Sequence, residues 1–306
     1  MNFSLLNNIN FINFKSLARS ISLIENEADG YEDLLAQLKP SSAKIIGITG
    51  APGAGKSSLT DALIGEMIRD QKKVGVLCVD PSSPFNKGAL LGDRIRMSEW
   101  YNHPDVFIRS LASRGSLGGL HPKIMEIADL MKSSGFDYVI IETVGVGQSE
   151  VDIASLADIT IVMLVPEGGD VIQTMKAGLM EVADIFVINK YDRPGADTFY
   201  NNLKKMLRPG FNTPAQNIPV LKTVASAKSG ISELYSIIKE WEFELKTNKK
   251  EDLLTHKIWM IIQNQKMKKI DKEKMKKEIM AAASQPGFNM YAFAKKYAEE
   301  SSRFPS

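Results

Sequence analysis

The sequence predicts an α/β fold: a mostly parallel sheet wrapped by helices, with a helical extension at each end. Between residues 44 and 245, short apolar runs alternate with segments whose apolar residues recur at helical spacing. The runs are continuous, with no polar residue at every second position, which marks strands covered on both faces, as in parallel sheets. Outside those limits the strand signal stops. The predicted organisation is an N-terminal helical extension over 1–43, an α/β domain over 44–245 and a C-terminal helical arm over 246–306.

Leu17, Ile21 and Ile24 share one helical face and Leu34, Leu35 and Leu38 another, with Gly30 between them. Strands follow at Ile45–Thr49, Val74–Val79, Val106–Ile108, Tyr138–Glu142, Ile159–Val165, Ile185–Asn189 and Val220–Val224. The arm reads as helices over Leu253–Gln265 and Lys268–Ala283, and Gln285-Pro286-Gly287 marks a turn between helices.

Composition narrows the function classes. The 306 residues are 44% apolar and 24% charged with a net charge of +2, an ordinary soluble balance. Lysines gather between Lys246 and Lys277, but Glu251, Asp252, Asp271, Glu273 and Glu278 interleave with them. A solvated helical face is expected there, and no nucleic-acid partner. Cys78 is the only cysteine, which excludes internal disulfides and multi-cysteine metal sites; its place inside Val74–Val79 predicts a buried thiol. His103, His121 and His256 have no metal-ligand spacing. No apolar stretch approaches the ~20 residues that span a bilayer, and residues 1–14 lack the basic start and cleavage site of a secretory signal, so the expected location is cytoplasmic, with no membrane partner.

The segment Gly50-Ala51-Pro52-Gly53-Ala54-Gly55-Lys56-Ser57 matches GxxxxGK[ST] in full. It follows an apolar strand and opens a helical pattern carrying Leu59, Leu63 and Ile64. Glycines let backbone N–H groups converge on phosphate oxygens, and the helix N-terminus adds partial positive charge. Lys56 supplies a point charge to the β- and γ-phosphates, and the Ser57 hydroxyl is a magnesium ligand. Ser58 completes the stretch expected to line the nucleotide.

The base is read elsewhere. Asn189-Lys190-Tyr191-Asp192 ends an apolar run and resembles the NKxD element of GTPases, in which Asp accepts two hydrogen bonds from guanine N1–H and the 2-amino group. Adenine lacks that donor pair and would leave the carboxylate unpaired. Lys190 would pack its stem over the base and Asn189 would brace the loop. Ser226-Ala227-Lys228 follows the next strand and resembles the SAK element, whose backbone N–H meets guanine O6. GTP and GDP are the implied ligands.

Asp80 and Glu142 each end a strand, at the edge where α/β sheets bind ligands, and are candidate ligands for magnesium directly or through its waters. Asp93 is a third candidate. Gly145 and Gly147 give the loop after Glu142 the freedom to respond to a γ-phosphate. The common GTPase pattern is DxxG; here it is ExxG, and the longer side chain reaches further.

Asp80-Pro-Ser-Ser-Pro-Phe85, Leu91-Gly-Asp-Arg-Ile-Arg-Met97, Ser113-Arg-Gly-Ser-Leu-Gly-Gly119 and Glu142-Thr-Val-Gly-Val-Gly-Gln-Ser-Glu150 together resemble the MeaB/ArgK family, the methylmalonyl-CoA mutase-associated GTPases. Leu17–Glu25 is similar to the family's N-terminal helix, and His256-Lys-Ile-Trp259-Met to the start of its C-terminal arm. The resemblance implies a P-loop GTPase fold of the SIMIBI type, a homodimer formed by the arm, and a G-protein chaperone. Such a chaperone assists an adenosylcobalamin-dependent acyl-CoA mutase in cofactor loading and protection. It also implies that Asp93 and Gln148-Ser149-Glu150 are switch residues that sense nucleotide state and present a surface to the mutase. Lys56, Asp93, Glu142 and Gln148 are the catalytic candidates, and Arg94, Arg96 and Arg114 are further charged candidates near the phosphates. No glutamine follows the ExxG glycine, so slow intrinsic hydrolysis is expected, accelerated by the partner.

Three other readings compete. A metallochaperone GTPase needs soft or imidazole ligands that this chain lacks. An amino-acid transport-associated kinase needs a phosphoacceptor site with a catalytic base, and none is identifiable. A nucleotide-dependent scaffold would bind GTP without turnover.

Overall fold

The computed structural model describes residues 13–80, 97–113, 120–145, 153–167, 179–207, 218–241, 247–268, 270–284 and 287–301. The apolar runs are strands of one sheet: β1 (Lys44–Gly50), β2 (Val74–Asp80), β3 (Val106–Ala112), β4 (Tyr138–Glu142), β5 (Ile159–Leu164), β6 (Ile185–Ile188) and β7 (Val220–Lys222). Their order is β3-β2-β4-β1-β5-β6-β7, and every pairing is parallel. The chain starts at the centre, runs outward to β3, returns to slot β4 between β2 and β1, and then continues on the far side of β1. That reversal leaves a crevice at the carboxyl ends of the strands beside β1.

Two boundaries differ from expectation for visible reasons. β3 continues past Ile108 to Ala112 although Arg109 and Ser110 interrupt the apolar run; it is an edge strand, half-buried over Ile108–Ser110, so polar side chains are tolerated. β7 stops at Lys222, and Val224 leaves the sheet to form an antiparallel bridge with Ser229.

Helices cover both faces: α1 (Phe14–Glu25), α2 (Tyr31–Ala36), α3 (Lys56–Arg69), α4 (Ile124–Ser133), α5 (Leu179–Val182), α6 (Ala196–Met206) and α7 (Ile231–Glu240). Alternate strand residues point to opposite sides. Ile46, Ile48, Val76, Cys78 and Ile161 pack with Leu59, Leu63 and Met67 of α3 and Leu234 and Ile238 of α7. Ile45, Leu77, Val139 and Ile141 pack with α1, α2 and α4 on the other face. Val162, Phe186 and Val220 pack with Phe199 and Leu203 of α6.

The first two helices belong to this core. Asn13 caps α1, its side-chain oxygen accepting from the Lys15 and Ser16 amides at 3.1 and 3.2 Å. Leu17, Ile21 and Ile24, spaced i, i+4, i+7, are buried against the sheet. Charges fasten the same pair of helices. Arg109 of β3 donates to Glu25 at 2.5 Å and to Ser22 at 3.1 Å. Lys123, just before α4, lies 3.4 Å from Glu27, 3.2 Å from Glu126 and over the Tyr31 ring.

The chain divides into two compact units, Met1–Phe243 and Glu244–Ser306. The second contains α8 (Thr247–Lys268), α9 (Lys272–Ala283) and α10 (Met290–Ser301). Lys268 closes α8 and does not open the next helix, because Asp271 caps α9 by accepting from the Glu273 and Lys274 amides. Of the expected turn, Gln285 and Pro286 lie outside the described residues, and Gly287 has φ +93°. Leu254, Ile258 and Ile261, spaced i, i+4, i+7, are 55%, 48% and 41% exposed. No described helix is long and apolar enough to cross a membrane.

Candidate functional site

The phosphate loop joins the central strand β1 to α3 with a backbone that only glycine accommodates at two points. Gly50 has φ +144°, and a Cβ there would sit 2.3 Å from the Met163 carbonyl oxygen. Gly55 has φ +94°, and a Cβ would meet Asn189 Nδ2 at 2.4 Å. Ala51, Pro52, Gly53 and Ser58 are exposed along the loop's rim, whereas Ala54, Lys56 and Ser57 are buried. Lys56 Nζ donates to the Gly50 and Ala51 carbonyls at 2.9 and 3.2 Å, which folds the ammonium back over the loop.

Glu142, the last residue of β4, reaches across to the helix that follows the loop. The Ser57 hydroxyl donates to its Oε1 at 2.7 Å, and the Thr60 hydroxyl lies 3.3 Å from its Oε2. In register, Glu142 stands opposite both Ile48 of β1 and Cys78 of β2, and Asp80 is two residues further along β2. Asp80, Glu142 and the Ser57 hydroxyl therefore share one face and one edge of the sheet, all less than a tenth exposed. This all-oxygen donor set has the chemistry of a magnesium site. Gly145 presses on the loop from above. Its φ is +82°, and a Cβ would lie 2.3 Å from the Gly50 carbonyl oxygen and 2.5 Å from Lys56 Nζ.

Asn189 ties three loops together. Its Nδ2 donates to the Ala54 carbonyl at 2.8 Å, and its Oδ1 accepts from the Ala225 amide at 3.0 Å and the Thr223 hydroxyl at 3.2 Å. This is the residue expected to brace its loop, and these are its contacts. Lys190 and Lys228, one in each base-reading segment, both have φ +54°, a left-handed conformation that costs a non-glycine residue about 1–3 kcal/mol. The Tyr191 amide donating to the Thr223 carbonyl helps to hold the first. In the second, the Ala227 and Lys228 amides close the turn on the Val224 and Ala225 carbonyls. Asp192, Ser226, Ala227 and Lys228 are exposed on these loops, which begin at the carboxyl ends of β6 and β7.

Some contributors carry no motif signal. Thr60 and the Thr143–Thr49 hydroxyl pair, 3.0 Å apart, are built into the phosphate end. Beside the base loop, Tyr191 donates to Asp197 at 2.5 Å, while Lys222 Nζ sits 4.6 and 4.4 Å from the Tyr191 and Tyr200 ring centroids. The hydrogen bond from Tyr191 holds the Asp197 carboxyl below its ordinary pKa, and burial together with Asp197 raises that of Tyr191. Asp93, Arg94, Arg96, Arg114, Gln148 and Glu150 lie outside the described residues.

Comparison with known proteins agrees with this geometry. Residues 17–280 match the family described as methylmalonyl Co-A mutase-associated GTPase MeaB. A provisionally named GTPase of Pyrococcus abyssi is 48% identical over 231 residues, 74% of this chain and 71% of that one. A fused isobutyryl-CoA mutase of Cupriavidus metallidurans is 37% identical over 232 residues, 72% of this chain and 21% of that one. A solved structure of an LAO/AO transport system kinase is similar over 98% of both chains, with a TM-score of 0.63 at 24% identity, a likeness of fold. With its phosphate loop, Glu142 and the loops that follow β6 and β7 at one edge of the sheet, the chain is a P-loop GTPase and belongs to the MeaB family of methylmalonyl Co-A mutase-associated GTPases.

Proposed function

We propose that the protein hydrolyses GTP in the service of an adenosylcobalamin-dependent acyl-CoA mutase, assisting the loading and protection of the mutase's cofactor. The observation that supports the partner is the relative in which a segment 37% identical to this chain makes up 21% of a fused isobutyryl-CoA mutase. Fusion places such a segment at a fixed, high effective concentration beside its mutase; a separate chain of the same family would dock instead.

In the proposed mechanism Lys56 releases the Gly50 and Ala51 carbonyls and turns to the β- and γ-phosphates, whose oxygens accept from the loop amides. Ser57, Glu142 and Asp80 would hold magnesium, which would supply positive charge to neutralise the β- and γ-phosphate oxygens. Asp192 accepts from guanine N1–H and the 2-amino group, and Asn189 keeps the base loop in register with the phosphate loop. Gly145 rests on Lys56, so its loop is placed to sense whether a γ-phosphate has moved the lysine. Position 146 is Val, where many GTPases have a water-orienting glutamine. Intrinsic turnover is therefore slow, and a partner-supplied group accelerates it.

The arm's exposed stripe of Leu254, Ile258 and Ile261 is assigned to pairing with a second copy of the chain. The decisive experiment measures phosphate release from GTP and ATP with and without a purified acyl-CoA mutase, alongside co-purification of the two proteins in GTP and in GDP. Stimulated, guanine-specific release together with a nucleotide-dependent complex is expected. Equal use of ATP, or no complex in either state, overturns the reading.

A further inference from the structure

We infer that Thr60 is a positioning residue for the magnesium site: its hydroxyl fixes the second oxygen of Glu142, and thereby aims the first at Ser57. The inference rests on the proposal that Glu142 serves that site.

Glu142 is buried at the end of β4, and its two oxygens meet hydroxyls from one face of α3. Ser57 lies 2.7 Å from Oε1, and Thr60 3.3 Å from Oε2. Positions 57 and 60 are i, i+3 on the helix and so stand one above the other. The carboxylate bridges them along the helix axis. A glutamate has one more torsion than the aspartate of the common pattern and loses more rotamer freedom when fixed. A second anchor compensates for that freedom.

Thr60 has a competing acceptor. Its hydroxyl also lies 3.0 Å from the Lys56 carbonyl, the usual i−4 partner of a helical threonine. One hydroxyl carries one proton, so donation to the carboxylate alternates with donation to the carbonyl. The side chain is wholly buried, so water does not take its place. An ionised acceptor forms the stronger bond, so the carboxylate competes well with the Lys56 carbonyl for the proton. Thr60 therefore acts on the site through Glu142.

The test is a magnesium titration of nucleotide affinity on the full chain, using fluorescent GDP and GTP analogues with an EDTA reference. Thr60→Val keeps the shape and removes the hydroxyl. It is expected to raise the magnesium concentration for half-saturation about tenfold, as for the loss of a hydrogen bond to a charged group. Affinity in EDTA is expected to stay within about twofold of wild type, on the same reasoning that only the metal-linked part changes. Thr60→Ser restores the magnesium midpoint. In a Glu142→Asp background, whose carboxylate is set back by one methylene, Thr60→Val loses most of its effect.

Equal loss of affinity with and without magnesium assigns Thr60 a structural role and overturns the inference, as does an unchanged midpoint. If Thr60→Val does not fold, Thr60→Ala is compared with Thr60→Ser in the same way. A wild-type protein that binds guanine nucleotides with no magnesium dependence removes the magnesium site itself. One that binds no guanine nucleotide defeats the broader functional reading.

Discussion

Asn189 Nδ2 and the Ala54 carbonyl lie 2.8 Å apart, so one amide side chain links the loop between β1 and α3 to the loop after β6, the proposed phosphate and base loops. The other end of the same amide accepts from Ala225. Asn189→Ala leaves a buried carbonyl and a buried N–H without this partner and is expected to cost about 1–3 kcal/mol of stability. It also lowers GTP and GDP affinity together, because base and phosphates are no longer held in register. Urea unfolding and calorimetric titration check both; a loss confined to GTP contradicts the argument.

In the proposed function, base selection rests on Asp192. Asp192→Asn replaces an acceptor of two guanine hydrogens with a group that offers a donor. GTP affinity is expected to fall by on the order of a hundredfold or more. Xanthine, which carries a carbonyl where guanine has an amine, gains by the same logic. Competition of GTP, XTP and ATP for one fluorescent nucleotide provides the measurement.

Gly145 has no room for a side chain. Gly145→Ala places a methyl about where the Gly50 carbonyl oxygen and Lys56 Nζ already are, at a backbone angle unfavourable to alanine. Hydrolysis and triphosphate affinity should fall more than diphosphate affinity, since the displaced lysine serves the terminal phosphates. Single-turnover rates with GTP and dissociation rates of GDP separate the two effects.

The ion cluster beneath the N-terminal helices predicts a pH response. Burial on its own would lower the pKa of Lys123, but Glu126, through charge and a hydrogen bond, and Glu27 outweigh it and hold it above the ordinary 10.5. A raised folded-state pKa means that this stabilisation is complete below 10.5 and is lost as pH climbs through the folded value. Lys123→Met should reduce the melting temperature across the neutral range, and its deficit against wild type should shrink only above pH 10.5. A deficit that already closes between pH 7 and 9 would contradict the assignment.

The stripe on α8 offers a fifth test. Ile258→Asp, at a residue 48% exposed, should weaken self-association while leaving nucleotide affinity intact. Sedimentation over a concentration series reads the first, and nucleotide titration the second. A chain that is monomeric in both forms counts against pairing through the arm.

Much of this architecture was legible because parallel strands advertise themselves. Val74–Val79 is a continuous apolar run and Ile159–Leu164 is one but for Thr160, and all their residues are buried. The second half of β3 was not legible, because Arg109 on an edge strand looks like the end of a run while it is in fact pairing with Glu25 on α1. The phosphate loop and Asn189 carry local motifs. Thr60 and the Tyr191–Asp197–Lys222 group carry none: their meaning arises from partners on other elements, and neither periodicity nor motif spacing reports such contacts. Asp93 and Gln148 remain implications of family resemblance.

Cys78 lies on β2, one strand in from the edge of the sheet, fully enclosed, and the chain has no other thiol. The folded surface is thus blank to maleimide chemistry. A cysteine engineered anywhere outside can carry a spin label or fluorophore with no native background, and slow modification of Cys78 itself becomes a clock for the opening of β2.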